Sequence, residues 1–243
     1  MRNIKLEIEY DGTNFCGWQI QSKVRTVQEE LEAALNQLTR EKIRVISAGR
    51  TDAGVHALGQ VVNFKTKSLL PDRVFRLGLN GILPKDIRVI NAEETEIKFN
   101  SRFSARSRNY KYYIATRQIA VGRQYAWFYK KTLDLDKMQQ ACSLIVGSHD
   151  FKSFCQAGAD VNHYLCHVKK ADWQKENEKL IFNITANRFL HNMVRILVGT
   201  FVNIGIGAIE IDDFLHILEA KNRIDAGPTA PPHGLFLVKV FYE

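Results

Sequence analysis

The chain has 243 residues, with 34 Lys and Arg against 26 Asp and Glu, which gives a formal net charge of +8. An apolar content of 45%, with 10% aromatic residues, excludes a disordered or low-complexity chain and supports one large domain or two modest ones. The N-terminus alternates charged and apolar residues, unlike a secretory signal. The most apolar stretch, 189–206, carries polar and charged side chains, so we expect a soluble, cytoplasmic protein without a membrane span.

The cysteine and histidine residues favour neither a disulfide framework nor a metal site. The four cysteines are widely spaced and form no CxxC pair: Cys16, Cys142, Cys155 and Cys166. In the one Cys/His cluster, His163-x-x-Cys166-His167, the adjacent residues 166 and 167 would point to opposite faces of a strand. We therefore expect reduced thiols and no metal.

In the first half of the chain, the hydrophobic patterns predict the order β-α-β-β-α-β. Thr26–Glu29 has the pattern of a capping box, and apolar residues at helical spacing follow it as far as Leu38. The predicted strands are Ile4–Tyr10, Ile43–Ala48, Val61–Phe64 and Ile87–Ala92, and a second helix runs from Pro71 through Leu79.

The second half predicts the order β-α-β-β-α-α-β. Its strands are Tyr110–Thr116, His167–Gln174, Lys179–Ala186 and Leu235–Tyr242, and its helices are Asp136–Val146, Phe189–Asn203 and Ile211–Lys221. The polar segment Gly147–Leu165 fits no element, which is typical of a functional or disordered loop.

The two element orders predict an α+β fold of two tandem ferredoxin-like (βαββαβ) halves with antiparallel sheets and a central basic cleft. The first predicted domain, 1–105, carries the loop around Asp52. The second, 106–243, carries the Arg195 helix and the loop at 147–165.

Positive charge is concentrated between Lys98 and Lys131, which we call the basic stretch. It holds nine basic residues, nine aromatic residues and no Asp or Glu, so its +9 leaves −1 for all other residues. Cations that neutralise phosphates, together with rings that stack on bases, suit single-stranded or looped RNA. A strand with a solvated basic edge is the alternative, but the lack of acids over such a length favours a polyanion.

Two residues are candidates for chemistry. The segment Ala48–His56 contains Gly49 and Gly54 and can hold the carboxylate of Asp52 outward. Asp-Ala-Gly taken alone is, however, also a good turn. Arg195 lies in a predicted helix that is apolar on nearly every side, so its guanidinium needs a partner. No acid occurs in 189–209, which leaves a phosphate or a carboxylate elsewhere. A carboxylate paired with Arg195 would stay ionised at neutral pH, and Asp52 is one candidate.

Together, the motifs resemble those of tRNA pseudouridine synthases that modify uridines 38 to 40 of the anticodon arm. The matching motifs span nearly the whole chain: Tyr10–Phe15 with Gly17–Gln19, Gly49–His56, Leu79–Asn80 with Leu83–Pro84, Phe103–Arg106 with Tyr110–Tyr112, Phe189–Gly199, and Gly227–Pro231 with His233–Leu235. Leu165 and Cys166 depart from the pattern, since many relatives have a basic residue there.

The resemblance implies that Asp52 is the catalytic aspartate, that Arg195 pairs with it, and that Tyr110 lies against the target base. It also implies that Arg50 holds the flipped nucleotide and that Leu235 contacts the substrate. Members of this family act as homodimers on tRNA, without a metal or an organic cofactor. The expected RNA-binding residues are Phe99, Arg102, Phe103, Arg106, Arg108, Lys111 and Gln156.

The residues leave two alternatives open. One is a non-catalytic RNA-binding module, for which Asp52 would be dispensable. The other is an RNA N-glycosidase that uses the same carboxylate and releases free uracil. Within a synthase, Asp52 could attack the sugar, attack the base, or take the proton from the sugar's 2′ position.

Overall fold

In the computed structural model, which describes residues 1–243, ten strands and five α-helices follow one another in a mixed α+β chain. The chain divides into two compact units, residues 1–106 with 236–243, and residues 107–235. The last strand therefore returns to the first unit, although it follows the second unit in the chain. Whether 1–105 and 106–243 fold as separate domains stays a prediction. No helix combines the length and apolarity needed to cross a bilayer.

The first unit has the predicted order of elements: β1 Arg2–Tyr10, α1 Val27–Thr39, β2 Ile46–Ser47, β3 His56–Thr66, α2 Asp72–Ile82 and β4 Ile87–Thr95. Strand β1 lies between β3 and β4 and is antiparallel to both. The last strand, β10 Leu235–Phe241, pairs in parallel with β3, with Phe236 opposite His56. Sequence patterns predicted this strand but not its partner.

Apolar side chains from the alternating strands and from both helices form the core of this unit. The alternating Ile4, Leu6 and Ile8 of β1 are fully buried. Phe75 of α2 meets Phe64 of β3 edge-on, with ring centroids 5.6 Å apart, so α2 packs on the sheet.

Strand β2 has only two residues, whereas the sequence predicts a strand over Ile43–Ala48. Side chains of α1 take up the backbone donors that a longer strand would need. The N–H of Ile43 donates to Oδ1 of Asn36 at 2.7 Å, and the N–H of Val45 donates to Oε1 of Glu32 at 3.1 Å. A donor bound in this way cannot join a sheet, so the predicted strand is too long.

The predicted capping box of α1 does not form, although the helix begins where the sequence indicates. Thr26 is the N-cap residue, but its side chain makes no capping hydrogen bond. The side chain is fully buried, and its hydroxyl has no hydrogen-bond partner. Glu29 and Glu30 lie in the first turn, where negative charge favours the helix N-terminus.

The second unit contains β5 Ser107–Ala115, β6 Trp127–Phe128, α3 Leu135–Ser143, β7 Gly147–Asp150, β8 Leu165–Glu176, β9 Lys179–Ala186, α4 Met193–Gly205 and α5 Ile211–Ala220. Strands β5, β9, β8 and β7 form an antiparallel sheet in that order, and β6 pairs in parallel with β5. The short strands β6 and β7 were not predicted. β7 lies within the segment 147–165, which the sequence left without an element.

Helix α4 begins at Met193, four residues later than predicted. Asn192 has φ 62° and ψ 4°, a left-handed conformation that a continuing α-helix cannot contain. Phe189 and Leu190 therefore lie outside the helix, and His191 and Asn192 form a turn ahead of it, although the apolar spacing continues the helical pattern.

An aromatic cluster joins the helices of the second unit to its sheet. The ring centroid of Phe201 on α4 lies 5.4 Å from Phe182 on β9, 6.2 Å from Trp173 on β8, and 5.4 Å from Phe214 on α5. Phe201 itself is fully buried. Its ring therefore holds two helices and two strands in one core.

We predict that Phe201→Ala lowers the free energy of unfolding by about 3–5 kcal/mol, because it removes a buried ring and leaves a cavity. The control is Phe128→Ala, which removes the same side chain at a position that is 36% exposed; it should cost about 1 kcal/mol or less. Urea unfolding followed by circular dichroism measures both. Equal losses would show that Phe201 does not hold the core together.

Candidate active site

Asp52 lies on a tight turn between β2 and β3, in the first unit. The N–H of Val55 donates to the carbonyl oxygen of Asp52 at 3.1 Å, and Gly54 has φ 75°. A positive φ of this size favours glycine, so we call residues 52–55 the Asp52 turn. Asp52 itself is partly exposed, and Arg50, two residues before it, is exposed. The turn-forming and functional interpretations of this segment are therefore compatible.

The motif Tyr10–Trp18, also in the first unit, forms hydrogen bonds to both sides of this turn. The N–H of Trp18 donates to the carbonyl oxygen of Thr51 at 3.0 Å. The N–H of Gly54 donates to the carbonyl oxygen of Phe15 at 3.2 Å. Two motifs that are far apart in sequence thus support each other through their backbones.

Glycines let these two backbones approach closely. A Cβ on Gly12 would lie 2.0 Å from the carbonyl oxygen of Val55, and a Cβ on Gly17 would lie 2.8 Å from that of Thr51. Gly17 also has φ 87°. Any side chain at either position would push the Tyr10–Trp18 motif away from the Asp52 turn.

A buried hydrogen bond joins Tyr10 to Thr51, the residue immediately before the turn. The hydroxyl groups of Tyr10 and Thr51 are 2.8 Å apart, and both side chains are buried. Burial raises the pKa of the Tyr10 phenol well above its ordinary value, against the opposing effect of hydrogen bonds with Thr51 and Gln60. Tyr10 is therefore neutral at physiological pH and serves as a fixed, uncharged support for the turn.

The ion pair between Arg25 and Asp86 stabilises the Tyr10–Trp18 motif. The guanidinium of Arg25 makes two hydrogen bonds to the carboxylate of Asp86, at 2.7 and 3.0 Å, and a third to Glu30 at 2.7 Å. It also lies over the ring of Phe15, 4.2 Å from the centroid. Phe15, whose carbonyl oxygen accepts from Gly54, is therefore also held through its ring.

In the second unit, Arg195 lies in the first turn of α4 and is partly exposed rather than fully buried. Its Nε donates to the carbonyl oxygen of Ala230 at 2.8 Å, and its Nη1 donates to Oδ1 of Asn192 at 2.7 Å. The carbonyl oxygen of Arg195 also accepts from the N–H of Ala230 at 3.0 Å. These contacts to Ala230 and Asn192 orient the guanidinium, and its pairing with Asp52 stays a prediction.

The segment 227–230 lies directly on α4. A Cβ on Gly199 would lie only 1.7 Å from the carbonyl oxygen of Pro228. The N–H of Gly227 donates to Oγ1 of Thr200 at 2.9 Å. Two of the motifs that carry the family resemblance, Phe189–Gly199 and Gly227–Pro231, therefore pack against each other.

Asn192 is a functional candidate that the sequence analysis missed. Its Nδ2 donates to Oε1 of Gln156 at 3.0 Å, while its Oδ1 accepts from Arg195. The N–H of Gln156 in turn donates to the carbonyl oxygen of His191 at 3.0 Å. An Asn immediately before an apolar helix suggests an N-cap, but the Asn192 side chain makes no capping hydrogen bond and instead joins Gln156 to Arg195, which no local pattern reveals.

Tyr110 and Tyr112 lie on the same face of β5, since they are two residues apart in a strand. The ring of Tyr110 meets that of Phe189 edge-on, with centroids 4.9 Å apart. The hydroxyl of Tyr112 donates to the carbonyl oxygen of Pro231 at 2.8 Å. Burial raises the pKa of Tyr112, and the positive charge of Arg195 partly offsets this effect.

The remaining predicted site residues differ in their exposure. Leu235 is buried at the start of β10. Phe99 is partly buried, with its ring centroid 5.0 Å from that of Tyr242. The exposed residues are Arg102, Phe103, Arg106 and Gln156, and the partly exposed ones are Arg108 and Lys111. No three His, Cys, Asp or Glu side chains form a group that could hold a metal ion.

We predict that Gly17→Ala lowers the free energy of unfolding by about 2–4 kcal/mol, because it combines an unfavourable positive φ with a clash against Thr51. Gly122→Ala is the matched control. Gly122 has φ 75°, but a Cβ there would meet nothing within 4 Å, so only the backbone cost of about 1–2 kcal/mol should remain. Thermal or urea unfolding measures the difference, and equal costs would contradict a close contact with the turn.

A family model described as tRNA pseudouridine synthase matches residues 7–104 and 141–243 of this chain. The matched residues include the Asp52 turn, the whole Tyr10–Trp18 motif and the Arg195–Ala230 contact. The match therefore covers most of the chain.

Full-length relatives give the same result. A protein of Caldicellulosiruptor bescii named tRNA pseudouridine synthase A is 46% identical over 244 residues, covering 100% of both chains. A protein of the same name from Caldicellulosiruptor saccharolyticus is 43% identical, again over 100% of both. Among solved structures, the archaeal box H/ACA sRNP Nop10–Cbf5 complex has a TM-score of 0.39 at 9% identity, covering 82% of this chain and 43% of that chain. The family model and the full-length relatives show that this chain belongs to the tRNA pseudouridine synthase family.

Proposed function

We propose that this chain isomerises uridine to pseudouridine at positions 38 to 40 of the tRNA anticodon stem-loop, with Asp52 as the catalytic residue. The Asp52 turn carries this proposal. It presents one partly exposed carboxylate on a backbone that buried residues hold from two sides, within a chain of the tRNA pseudouridine synthase family. A fixed, accessible carboxylate is what chemistry on a nucleotide requires.

The reaction conserves every atom of the substrate. The bond between N1 of uracil and C1′ of ribose breaks, the base turns within its pocket, and C5 forms a new bond to C1′. One proton leaves C5 and one is gained at N1, so the product has the mass of the substrate. The target base must first leave the helical stack, which costs a few kcal/mol and is least costly near a loop.

We further propose that Arg195 pairs with Asp52 and orients its carboxylate. The hydrogen bonds from Arg195 to Ala230 and Asn192 support this role, because they orient the guanidinium while leaving it charged. We assign Tyr110 to contact with the target base, Leu235 to the substrate pocket, and Arg50 to the flipped nucleotide.

For RNA binding we propose that two tandem ferredoxin-like halves form a basic cleft that receives the anticodon arm. The proposed contacts are Phe99, Arg102, Phe103, Arg106, Arg108, Lys111 and Gln156. We also propose that the enzyme acts in the cytoplasm as a homodimer. The nine cations of the basic stretch, with no acid among them, support a polyanionic substrate.

One assay tests the reaction class. A tRNA transcript with labelled uridine is incubated with the protein, digested, and analysed for its nucleosides. We expect pseudouridine at positions 38 to 40. Free uracil would instead identify an N-glycosidase, and unchanged RNA would contradict the proposed activity.

We predict that Asp52→Asn reduces the rate of pseudouridine formation by about 10²- to 10⁴-fold or more. The amide keeps the shape of the side chain but cannot act as a nucleophile or a base. The Kd for tRNA should stay within about threefold of the wild-type value, because RNA affinity depends mainly on the cations. Single-turnover assays and filter binding measure the two quantities.

Asp225→Asn is the control, since it makes the same chemical change at an exposed carboxylate. It should leave both quantities unchanged. Retained activity in Asp52→Asn would remove Asp52 from the mechanism.

We predict an interaction free energy of about 0.5–3 kcal/mol between Asp52 and Arg195 in a double-mutant cycle. The cycle compares the unfolding free energies of Asp52→Asn, Arg195→Gln and the double variant. A cycle with Asp225→Asn in place of Asp52→Asn should be additive to within about 0.5 kcal/mol. Additivity in both cycles would show that Asp52 and Arg195 do not pair.

A further inference from the structure

The loop between β4 and β5 holds an aromatic ring in solvent. Phe103 is 78% exposed, and among the 14 Phe, 8 Tyr and 3 Trp residues only Phe128, at 36%, is also exposed. A single exposed apolar residue is common in proteins. Phe103 is informative because its backbone is fixed and because a cation lies on its ring.

Three hydrogen bonds to Asn100 fix the backbone around Phe103. Oδ1 of Asn100 accepts from the N–H of Arg102 at 3.0 Å and from the N–H of Phe103 at 3.1 Å. The N–H of Ser104 donates to the carbonyl oxygen of Asn100 at 2.8 Å. The loop is therefore ordered before any ligand binds, and binding costs little backbone entropy.

Ser101 anchors this loop to the core of the first unit. Ser101 is fully buried, and its N–H donates to Oδ1 of Asn63 at 2.8 Å. Its hydroxyl donates to the carbonyl oxygen of Ile46, and its own carbonyl oxygen accepts from the hydroxyl of Tyr242 at 2.9 Å. The residue before Arg102 thus points inward, while Arg102 and Phe103 are exposed.

Arg102 and Phe103 form a cation–π pair. The guanidinium carbon of Arg102 lies 5.3 Å from the centroid of the Phe103 ring. Arg106, close by in sequence, is also exposed, and no acidic residue occurs anywhere in the basic stretch. A preordered ring with adjacent positive charge suits a ligand that has both a flat face and a negative charge, and a nucleotide has both.

We propose that the Arg102–Phe103 pair is a stacking platform for one unpaired base of the tRNA, distinct from the base that is isomerised. The ring supplies the stacking surface, and the guanidinium neutralises a neighbouring phosphate. Because every base has a flat π-face, the platform tolerates any sequence. This inference rests on the tRNA substrate of the proposed function and adds a second contact to it.

The test separates stacking from charge by measuring the Kd for a tRNA transcript at several salt concentrations. Phe103→Leu keeps an apolar side chain but removes the ring, so the Kd should rise about 5- to 150-fold with an unchanged slope of log Kd against log salt. Arg102→Gln should weaken binding and also reduce that slope by about 1. Phe103→Trp should retain the wild-type affinity, and its added fluorescence should be quenched by tRNA.

Phe128→Leu is the matched control and should leave the Kd unchanged. An unchanged Kd for Phe103→Leu would overturn the platform, as would a changed salt slope for that variant, which would mean that it displaces cations. A change in oligomeric mass without a change in Kd would assign Phe103 to a protein contact and also overturn it.

The platform and the proposed function can fail separately. The platform is tested by the Kd of Phe103→Leu, which needs no turnover, whereas the proposed function is tested by pseudouridine formation in the wild-type protein. If the wild-type protein forms no pseudouridine, the proposed function fails, while the Kd comparison still decides whether Phe103 stacks on a base.

Discussion

The geometry of the candidate catalytic residue depends on one backbone contact, that between the Tyr10–Trp18 motif and the Asp52 turn. Gly12 and Gly17 allow the approach, and hydrogen bonds from Trp18 and Gly54 secure it. Ordering a short turn costs about 1–2 kcal/mol per residue in backbone entropy, so a free loop would not hold a carboxylate in place. The neighbouring motif offsets this cost with bonds that leave the Asp52 side chain partly exposed.

In the second unit, hydrogen bonds likewise fix the position of a cation, Arg195. A guanidinium taken partly out of water must keep hydrogen-bond acceptors around its N–H groups. Two such acceptors of Arg195 are the backbone carbonyl oxygen of Ala230 and the amide oxygen of Asn192. Gly199 permits this arrangement because only a residue without a Cβ lets the segment 227–230 lie so close to α4. These contacts hold the guanidinium in position.

The activity of a pseudouridine synthase places two different demands on its structure. Bond exchange at a nucleoside needs few chemical groups but accurate positioning, whereas binding a tRNA needs many weak contacts over a wide surface. The Asp52 turn and the Arg195 contact are braced by buried partners. The proposed RNA contacts are mostly exposed or partly exposed cations, and Phe103 differs from them because its backbone is fixed by Asn100 and Ser101.

The sequence patterns located most of the regular elements, because the periodicity of apolar residues reports burial directly. They located β9 to the residue, and they predicted the start of α1 at Val27. They failed where side chains compete with the backbone. Asn36 and Glu32 bind the donors of Ile43 and Val45 and shorten β2, and no local pattern reveals that competition.

The candidate site shows the same division. The motif around Asp52 and the isolated cation at Arg195 were evident from residue types and their spacing. Their supports were not, because the Trp18–Thr51, Gly199–Pro228 and Arg195–Ala230 contacts join residues about 30 positions apart. The parallel pairing of β10 with β3 is likewise a contact across most of the chain. Local chemistry therefore determined which residues could act, whereas the folded chain decided what holds them, because close packing and hydrogen bonding depend on distances in space that the order of residues does not contain.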